Sequence, residues 1–147
     1  MKRRMLLGWA TASVAMMVLG SLGTWASVDR IFGTGRESLQ GTDGDGWTLI
    51  GAGLIALVLI AYHERRRRGI GPLLIALLAA LIASAAVIYD WSDLHRVASN
   101  WPGLVHSGWG IYVATIGSVS LVAACLALIV TAKAPQETPS PAPEPGA

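Results

Sequence analysis

Four long apolar stretches dominate the sequence, and none of them contains an aspartate, glutamate, lysine or arginine. They are residues Met5–Trp25, Trp47–Tyr62, Ile70–Tyr89 and Trp109–Ala132. A helix needs about 20 residues to cross the ~30 Å hydrocarbon core of a bilayer. Three stretches reach that length, and the second reaches it by recruiting Gly46 and His63 or by thinning the bilayer locally. We therefore predict an all-α membrane protein with four transmembrane helices.

Positive charge is concentrated on one side of these spans. Of the 11 lysines and arginines, eight precede the first span, join the second to the third or follow the fourth, and three lie in the other two connections. Because basic residues resist translocation, we expect the richer side to face the cytoplasm. The spans then form two antiparallel hairpins, with both termini cytoplasmic and residues 26–46 and 90–108 outside. We predict a multi-pass protein of the plasma membrane, which in a bacterium is the inner membrane.

Tryptophans mark the predicted outer ends of the spans. Indole combines an apolar body with one N–H donor, so it settles at the boundary between lipid headgroups and hydrocarbon. One tryptophan lies close to the outer end of each span, namely Trp25, Trp47, Trp91 and Trp109. We therefore predict that these four side chains are interface anchors.

The chain divides into a four-helix transmembrane domain, residues 1–133, and a short tail, residues 134–147. Five of the 14 tail residues are proline, so the tail is predicted to be disordered and cytoplasmic. The first span could instead be a secretory signal peptide, with Lys2–Arg4 as its basic region and Thr24–Ala26 as its cleavage site. Its apolar run of about 20 residues exceeds the usual ~7–15, which favours a retained span and leaves cleavage as the alternative.

Small residues recur every four positions on two of the spans. They are Ala76, Ala80 and Ser84 on the third span, and Gly110, Ala114 and Ser118 on the fourth. Small side chains let helices approach closely, which matters because lipid provides no hydrophobic drive for helix association. We predict that spans three and four pack through these faces, although abundant alanine and glycine produce some such patterns by chance.

Four consecutive arginines lie in the tight turn between the second and third spans. They are Arg65, Arg66, Arg67 and Arg68, and Glu64 is the acid nearest to them in the sequence. One carboxylate cannot pair with four guanidinium groups, so most of them are expected to meet lipid phosphates, for which their planar fork is suited. We predict that this turn sets the orientation of the chain and binds anionic lipid at the cytoplasmic face.

Two clusters of polar residues outside the spans partly resemble metal sites, but neither has the ligands that a metal site requires. The run Asp43-Gly44-Asp45-Gly46 resembles half of a calcium loop, but calcium needs six to eight oxygen ligands. Asp45 is better explained as the N-cap of the second span. The second group, which matches no zinc signature, consists of Asp90, Asp93, His95 and His106. We predict hydrated outer loops, irregular in the stretch from residue 31 to 46, with no metal and no cofactor.

The main evidence on function is negative. Ion-coupled transporters, proton relays and voltage sensors carry ionisable side chains inside the membrane, and acidic, lysine and arginine side chains are missing from all four spans. Nucleotide-binding, hydrolase and metalloprotease motifs are also missing. We predict a non-enzymatic accessory or interaction subunit that binds a larger cell-envelope membrane complex, or a second copy of itself, through the small-residue faces, with no nucleic-acid partner. The alternative is a small channel or facilitator for a neutral or lipidic solute, lined by Thr115, Ser118 and Ser120.

Four short motifs accompany the spans: the run Gly41–Trp47 before an apolar span, the arginine-rich turn, Tyr89-Asp90 at the end of span three, and Gly108–Tyr112 at the start of span four. In these motifs the chain resembles small, uncharacterised four-span membrane proteins of actinobacteria. The resemblance covers about residues 41–130. It implies a four-helix fold and a location in the plasma membrane, and it carries no functional residues over to this chain.

The predicted orientation can be tested by cysteine accessibility. We expect a cysteine that replaces Ser38 to be labelled by an impermeant reagent from outside the cell, and one that replaces Gly69 to be labelled from the cytoplasmic side. Labelling at residue 38 from the cytoplasm only, or at residue 69 from outside only, would contradict the orientation.

Overall fold

Four helices form where the apolar stretches predict them. The computed structural model describes residues 2–29, 35–66 and 69–133, with helices α1 (Lys2–Leu22), α2 (Gly46–Arg66), α3 (Gly71–Asn100) and α4 (Trp109–Lys133). All four are long and apolar enough to cross a membrane, which confirms the number of predicted spans. The short second stretch gains length at both ends, through Gly46 and His63, and becomes a helix of 21 residues. Arg67, Arg68 and the predicted tail lie outside the described residues.

The helices form a ring in which each one contacts the next and α4 returns to α1. At one end of the bundle, Arg3 Nε lies 2.7 Å from Glu64 Oε2, so the start of α1 meets the end of α2. At the opposite end, the rings of Trp91 and Tyr112 meet edge to face with centroids 4.9 Å apart, which joins α3 to the start of α4. Neighbouring helices therefore run antiparallel. We call the first end the basic end and the second the cap end.

The first and last helices touch through their backbones. A β-carbon on Gly20 would lie 2.8 Å from the Ala114 α-carbon and 2.8 Å from the Gly110 carbonyl oxygen. A β-carbon on Gly117 would lie 2.8 Å from the backbone nitrogen of Met17. Real β-carbons do not approach backbone atoms this closely, so only glycine fits at these positions. Close backbone contact of this kind is how helices associate where lipid supplies no hydrophobic drive.

A polar cluster fastens the same two helices nearer the basic end. The Trp9 indole donates a hydrogen bond to Ser120 Oγ at 2.7 Å. The Ser13 hydroxyl lies 2.9 Å from Ser120 Oγ and 2.9 Å from the Trp9 carbonyl oxygen, within hydrogen-bond distance of both. Ser13 is buried, Ser120 is partly buried and Trp9 is exposed on the outer surface of the bundle, so the cluster runs from the interior to an apolar surface where an unpaired donor would be costly.

The connections at the cap end form a three-stranded sheet, so the irregular structure that we predicted for residues 31 to 46 is wrong for the part described. Its strands are β1 (Thr24–Asp29), β2 (Arg36–Gln40) and β3 (Val105–Ser107), in the antiparallel order β2-β1-β3. Gly23 separates β1 from α1, and Gly108 separates β3 from α4. The Gly108 N–H donates to the Trp25 carbonyl oxygen at 2.8 Å. Because α1 and α4 lie side by side, the strands attached to them also lie side by side.

The third helix is longer than predicted. We expected it to end at Tyr89, where the continuous apolar run stops, but it continues to Asn100. The added turns are amphipathic, and Leu94 packs against the hydrophobic core. Thirty residues of helix measure about 45 Å, against a hydrocarbon core of about 30 Å, so the last turns project beyond the span. Asp90 and Asp93 therefore stand on a helix rather than in a hydrated loop.

The glycine contact between α1 and α4 predicts a difference between two glycines of the same helix. Gly20→Ala introduces a β-carbon against backbone that cannot rotate away, whereas a β-carbon at Gly8 meets nothing within 4 Å. We expect Gly20→Ala to lower the free energy of unfolding in detergent micelles by about 1–3 kcal/mol relative to Gly8→Ala. Both variants gain the same helix propensity, so the comparison isolates packing. Equal stability of the two variants would contradict the close contact.

Candidate functional site

A pocket of about 350 Å³ lies at the cap end, between the sheet and the projecting turns of α3. We call it the cap pocket. Four carboxylates line it, those of Asp43, Asp45, Asp90 and Asp93. Its remaining wall is mainly apolar and includes Leu39, Leu94, Val97 and Val105. The pocket therefore combines a negatively charged rim with a hydrophobic surface.

Two of these carboxylates come from the connection between β2 and α2. Asp43 ends a single turn of 3₁₀ helix, Gly41–Asp43, and its Oδ2 accepts a hydrogen bond from the Gln40 N–H at 2.8 Å. Asp45 directly precedes α2, where we predicted that its carboxylate would cap the helix, but no bond joins that carboxylate to the described α2 backbone. The α2 backbone donates to the Asp45 carbonyl oxygen, with Thr48 N at 2.9 Å, and the Asp45 side chain is exposed.

Asp90 is the most perturbed carboxylate of the pocket. Burial against the cap, together with the smaller effects of the negative charges of Asp45 and Asp93, raises the pKa of Asp90 to about 6. Its Oδ2 atom is shielded from solvent and accepts no hydrogen bond from any described residue. A carboxylate without a counter-ion in such a place is costly to ionise. The site therefore favours a positively charged group beside Asp90.

Trp25 closes the floor of the cap pocket. It is only 8% exposed, and its indole donates to the Gly20 carbonyl oxygen at 2.8 Å. The ring lies so close to Gly41 that a β-carbon there would collide with the indole nitrogen. We predicted a lipid-facing anchor at this position, and the structure places the ring inside the protein. Of the other three predicted anchors, Trp47 and Trp109 are exposed, and Trp91 is partly covered by Tyr112.

A second charged cluster lies on the sheet itself. Asp29 receives a hydrogen bond from Arg36 Nε at 2.8 Å, and His106 Nε2 lies 3.3 Å from its other carboxylate oxygen. The hydrogen bond from Arg36 lowers the pKa of Asp29, and His106 adds a smaller effect in the same direction. Asp29 belongs to β1, Arg36 to β2 and His106 to β3. The cluster therefore ties the three strands together at the surface.

The structure regroups the residues that we compared with metal sites. We compared Asp43 and Asp45 with a calcium loop, and Asp90 and Asp93 with a zinc site. In the structure, all four side chains line one pocket. His95 lines a neighbouring groove with Trp91, outside the cap pocket, and His106 pairs with Asp29. Within residues 2–29, 35–66 and 69–133, no three His, Cys, Asp or Glu side chains are placed to hold a metal ion.

The predicted helix-packing residues lie inside the bundle. Those that are fully buried are Ala76, Ala80, Gly110, Ala114 and Ser118. Ser84 is half-buried, and its hydroxyl donates to the Ala80 carbonyl oxygen at 2.9 Å. Gly110 faces the backbone of Gly20 in α1 and of Gly23 just after it, and Ala114 lies against Gly20, whereas we expected these residues to pack against α3. The faces are therefore occupied by helices of the chain itself.

One buried polar residue escaped the sequence analysis. His63 lies on the inward face of α2 near the basic end, and it is only 7% exposed. Its Nδ1 atom is buried and has no hydrogen-bond partner among the described residues. We had counted His63 as a residue that lengthens the second span. His63 follows Ile60 by three positions and Ala56 by seven, and both of these residues are buried. This helical spacing puts His63 on the inward face and could have predicted its burial from the sequence.

In comparisons with known proteins, no family model, no curated protein and no solved structure matches the chain.

The perturbed carboxylate predicts how stability depends on pH. The pKa of Asp90 is raised in the folded protein from an ordinary value of 3.8 to about 6, so its ionisation opposes folding. Its favourable contribution is complete below pH 3.8 and is lost as the pH rises through about 6. We expect the unfolding midpoint of Asp90→Asn, relative to the natural chain, to rise between pH 4 and pH 7 in detergent.

Asp29→Asn is the control, because its effect on stability should change with pH in the opposite direction. The pKa of Asp29 is lowered, so its carboxylate stabilises the fold at neutral pH and this contribution is lost as the pH falls. Asp29→Asn should therefore be less stable than the natural chain at pH 7 and approach it at low pH. If the unfolding midpoints of Asp90→Asn and the natural chain differed by the same amount at all pH values, the raised pKa of Asp90 would be contradicted.

Proposed function

We propose that the protein is a non-enzymatic interaction subunit of a cell-envelope membrane complex, and that its partner binds at the cap. In this proposal the chain is a multi-pass protein of the plasma membrane with both termini cytoplasmic, and the cap faces outward. The positive charge at the basic end supports this orientation, because basic residues resist translocation.

The cap pocket is the observation that carries the proposal. Four carboxylates and an apolar wall meet there, and Asp90 Oδ2 has no hydrogen-bond partner among the described residues. A lysine or arginine side chain has the complementary composition, with an aliphatic stem and a cationic head. The partner is therefore a protein segment outside the membrane that presents a basic side chain beside apolar ones.

The surface of the bundle supports the choice of the cap over the helices. The small-residue faces that we expected to receive a partner are buried between the helices of this chain. The outward faces carry large aliphatic side chains, among them Leu78, Ile82 and Val130, each about half-exposed or more. Such faces suit lipid, which is as apolar as the side chains themselves.

The hydroxyl groups of the alternative channel are engaged in helix contacts. Thr115 Oγ1 donates to the Ile111 carbonyl oxygen at 2.7 Å, and the Ser118 hydroxyl donates to the Thr115 carbonyl oxygen at 3.0 Å. Ser120 belongs to the cluster with Trp9 and Ser13. These bonds account for the polar residues of α4 without a solute path, so we do not propose a channel.

Photo-crosslinking in native membranes tests the proposal. A benzophenone amino acid at Leu39, which is exposed and lines the cap pocket, should capture a reproducible protein partner or a second copy of the chain. The same amino acid at Leu78, on the outward face of α3, should capture lipid. The captured partner peptide should contain lysine or arginine, and Asp90→Asn with Asp93→Asn should reduce the yield about tenfold.

Two outcomes contradict the proposal. One is the same set of products from Leu39 and Leu78, which would show that the cap has no preferred partner. The other is a partner captured equally well by the natural chain and by the doubly substituted one, which would show that the carboxylates do not contribute to binding. Membrane content of each variant, measured by immunoblot, controls for loss of folded protein.

A further inference from the structure

We infer that an anionic phospholipid binds in a groove between α1 and α2 at the basic end, with its phosphate on Arg65 and one acyl chain along the groove. The groove has a volume of about 260 Å³. It is lined by Leu7 and Thr11 of α1 and by Leu57, Ile60, Ala61 and Arg65 of α2. This site lies at the opposite end of the bundle from the cap pocket, so the inference does not depend on the proposed function.

The walls of the groove suit a hydrocarbon chain. Leucine, isoleucine and alanine supply most of the surface. The one hydroxyl, that of Thr11, donates to the Leu7 carbonyl oxygen at 3.0 Å and so presents no free donor. From Leu57 to Arg65 the groove follows eight helical rises of 1.5 Å, about 12 Å in all, parallel to the direction in which acyl chains lie.

The mouth of the groove is positively charged. Glu64, the one acid among the described residues that line the groove, is already paired with Arg3, whose Nε lies 2.7 Å from Glu64 Oε2. Arg65 forms no ion pair with any residue that the structure describes, and its side chain is exposed. Arg4 and Arg66 are exposed at the same end. α1 begins and α2 ends here, so their dipoles largely offset each other, and the positive charge of the mouth comes from the arginine side chains.

Charge and shape together specify the occupant. A guanidinium group at the end of an apolar groove complements an amphiphile with an anionic head and a hydrocarbon tail. The planar fork of Arg65 can bind two oxygens of one phosphate. The surrounding bilayer supplies phospholipid directly to this position, because the groove opens on the outward faces of two membrane-spanning helices. A zwitterionic lipid shares the tail but brings a cation to the same arginines.

Native mass spectrometry of the purified protein measures this binding. We expect dioleoyl phosphatidylglycerol to remain bound at several times the level of dioleoyl phosphatidylcholine, and inorganic phosphate to compete weakly because it lacks the tail. Arg65→Gln should lower the retained phosphatidylglycerol about fivefold, whereas Arg96→Gln, at the cap end, should leave it unchanged. The unfolding midpoint of each variant confirms that the bundle is intact.

A second pair of variants tests the groove itself. Ala61→Trp fills the groove from an exposed position and should reduce retention of both lipids, whereas Ala85→Trp, on the exposed surface of α3, should not. If only Arg65→Gln lowers the retained phosphatidylglycerol, the lipid is attracted to the charged surface and does not occupy the groove. If only Ala61→Trp lowers it, the groove binds lipid without selecting an anionic headgroup. Retention at the wild-type level in both variants would overturn the whole proposal.

Discussion

The backbone contact between α1 and α4 is the constraint on which the rest of the structure depends. Within a bilayer, helices gain little by hiding apolar side chains from one another, so association depends on close packing and on hydrogen bonds between helices. Here both operate on the same pair. Gly20 and Gly117 remove the side chains that would keep the helices apart, and Trp9, Ser13 and Ser120 bond across the interface. This contact closes the ring of four helices.

The cap follows from the same contact. β1 leaves α1 through one glycine, and β3 enters α4 through another, so the spacing of the two helices determines whether the strands can pair. Trp25 then fills the space between the top of α1 and the turn before α2. The cap pocket is what remains between this ordered sheet and the projecting turns of α3. Its carboxylates meet only because the connection between β2 and α2 is held against the last turns of α3.

The sequence predicts the helices well because their evidence is local. Length and uninterrupted apolar composition suffice for the four spans, and the lengthening of the second through Gly46 and His63 is confirmed. One edge of the sheet pairs residues about 80 positions apart, such as Ser27 with His106, which local patterns do not reveal. The other edge pairs nearby residues, such as Asp29 with Arg36, in a stretch that we interpreted as irregular. The burial of Trp25 was missed with it, because the ring packs against Gly41 at the end of that stretch. The end of α3 was missed because apolar content was read as the limit of the helix, whereas its last turns are amphipathic.

The order of the helices in the ring also places the beginning of α1 beside the end of α4. An even number of antiparallel helices, with the first beside the last, brings the beginning of α1 and the end of α4 together at the basic end. A new link from the end of α4 to the start of α1 would therefore lie at the same end of the bundle as the link between α2 and α3, and it would join two helices that are also neighbours. The helices are therefore arranged so that a circular permutant, opened between α2 and α3 and joined between α4 and α1, would keep every interhelical contact described here.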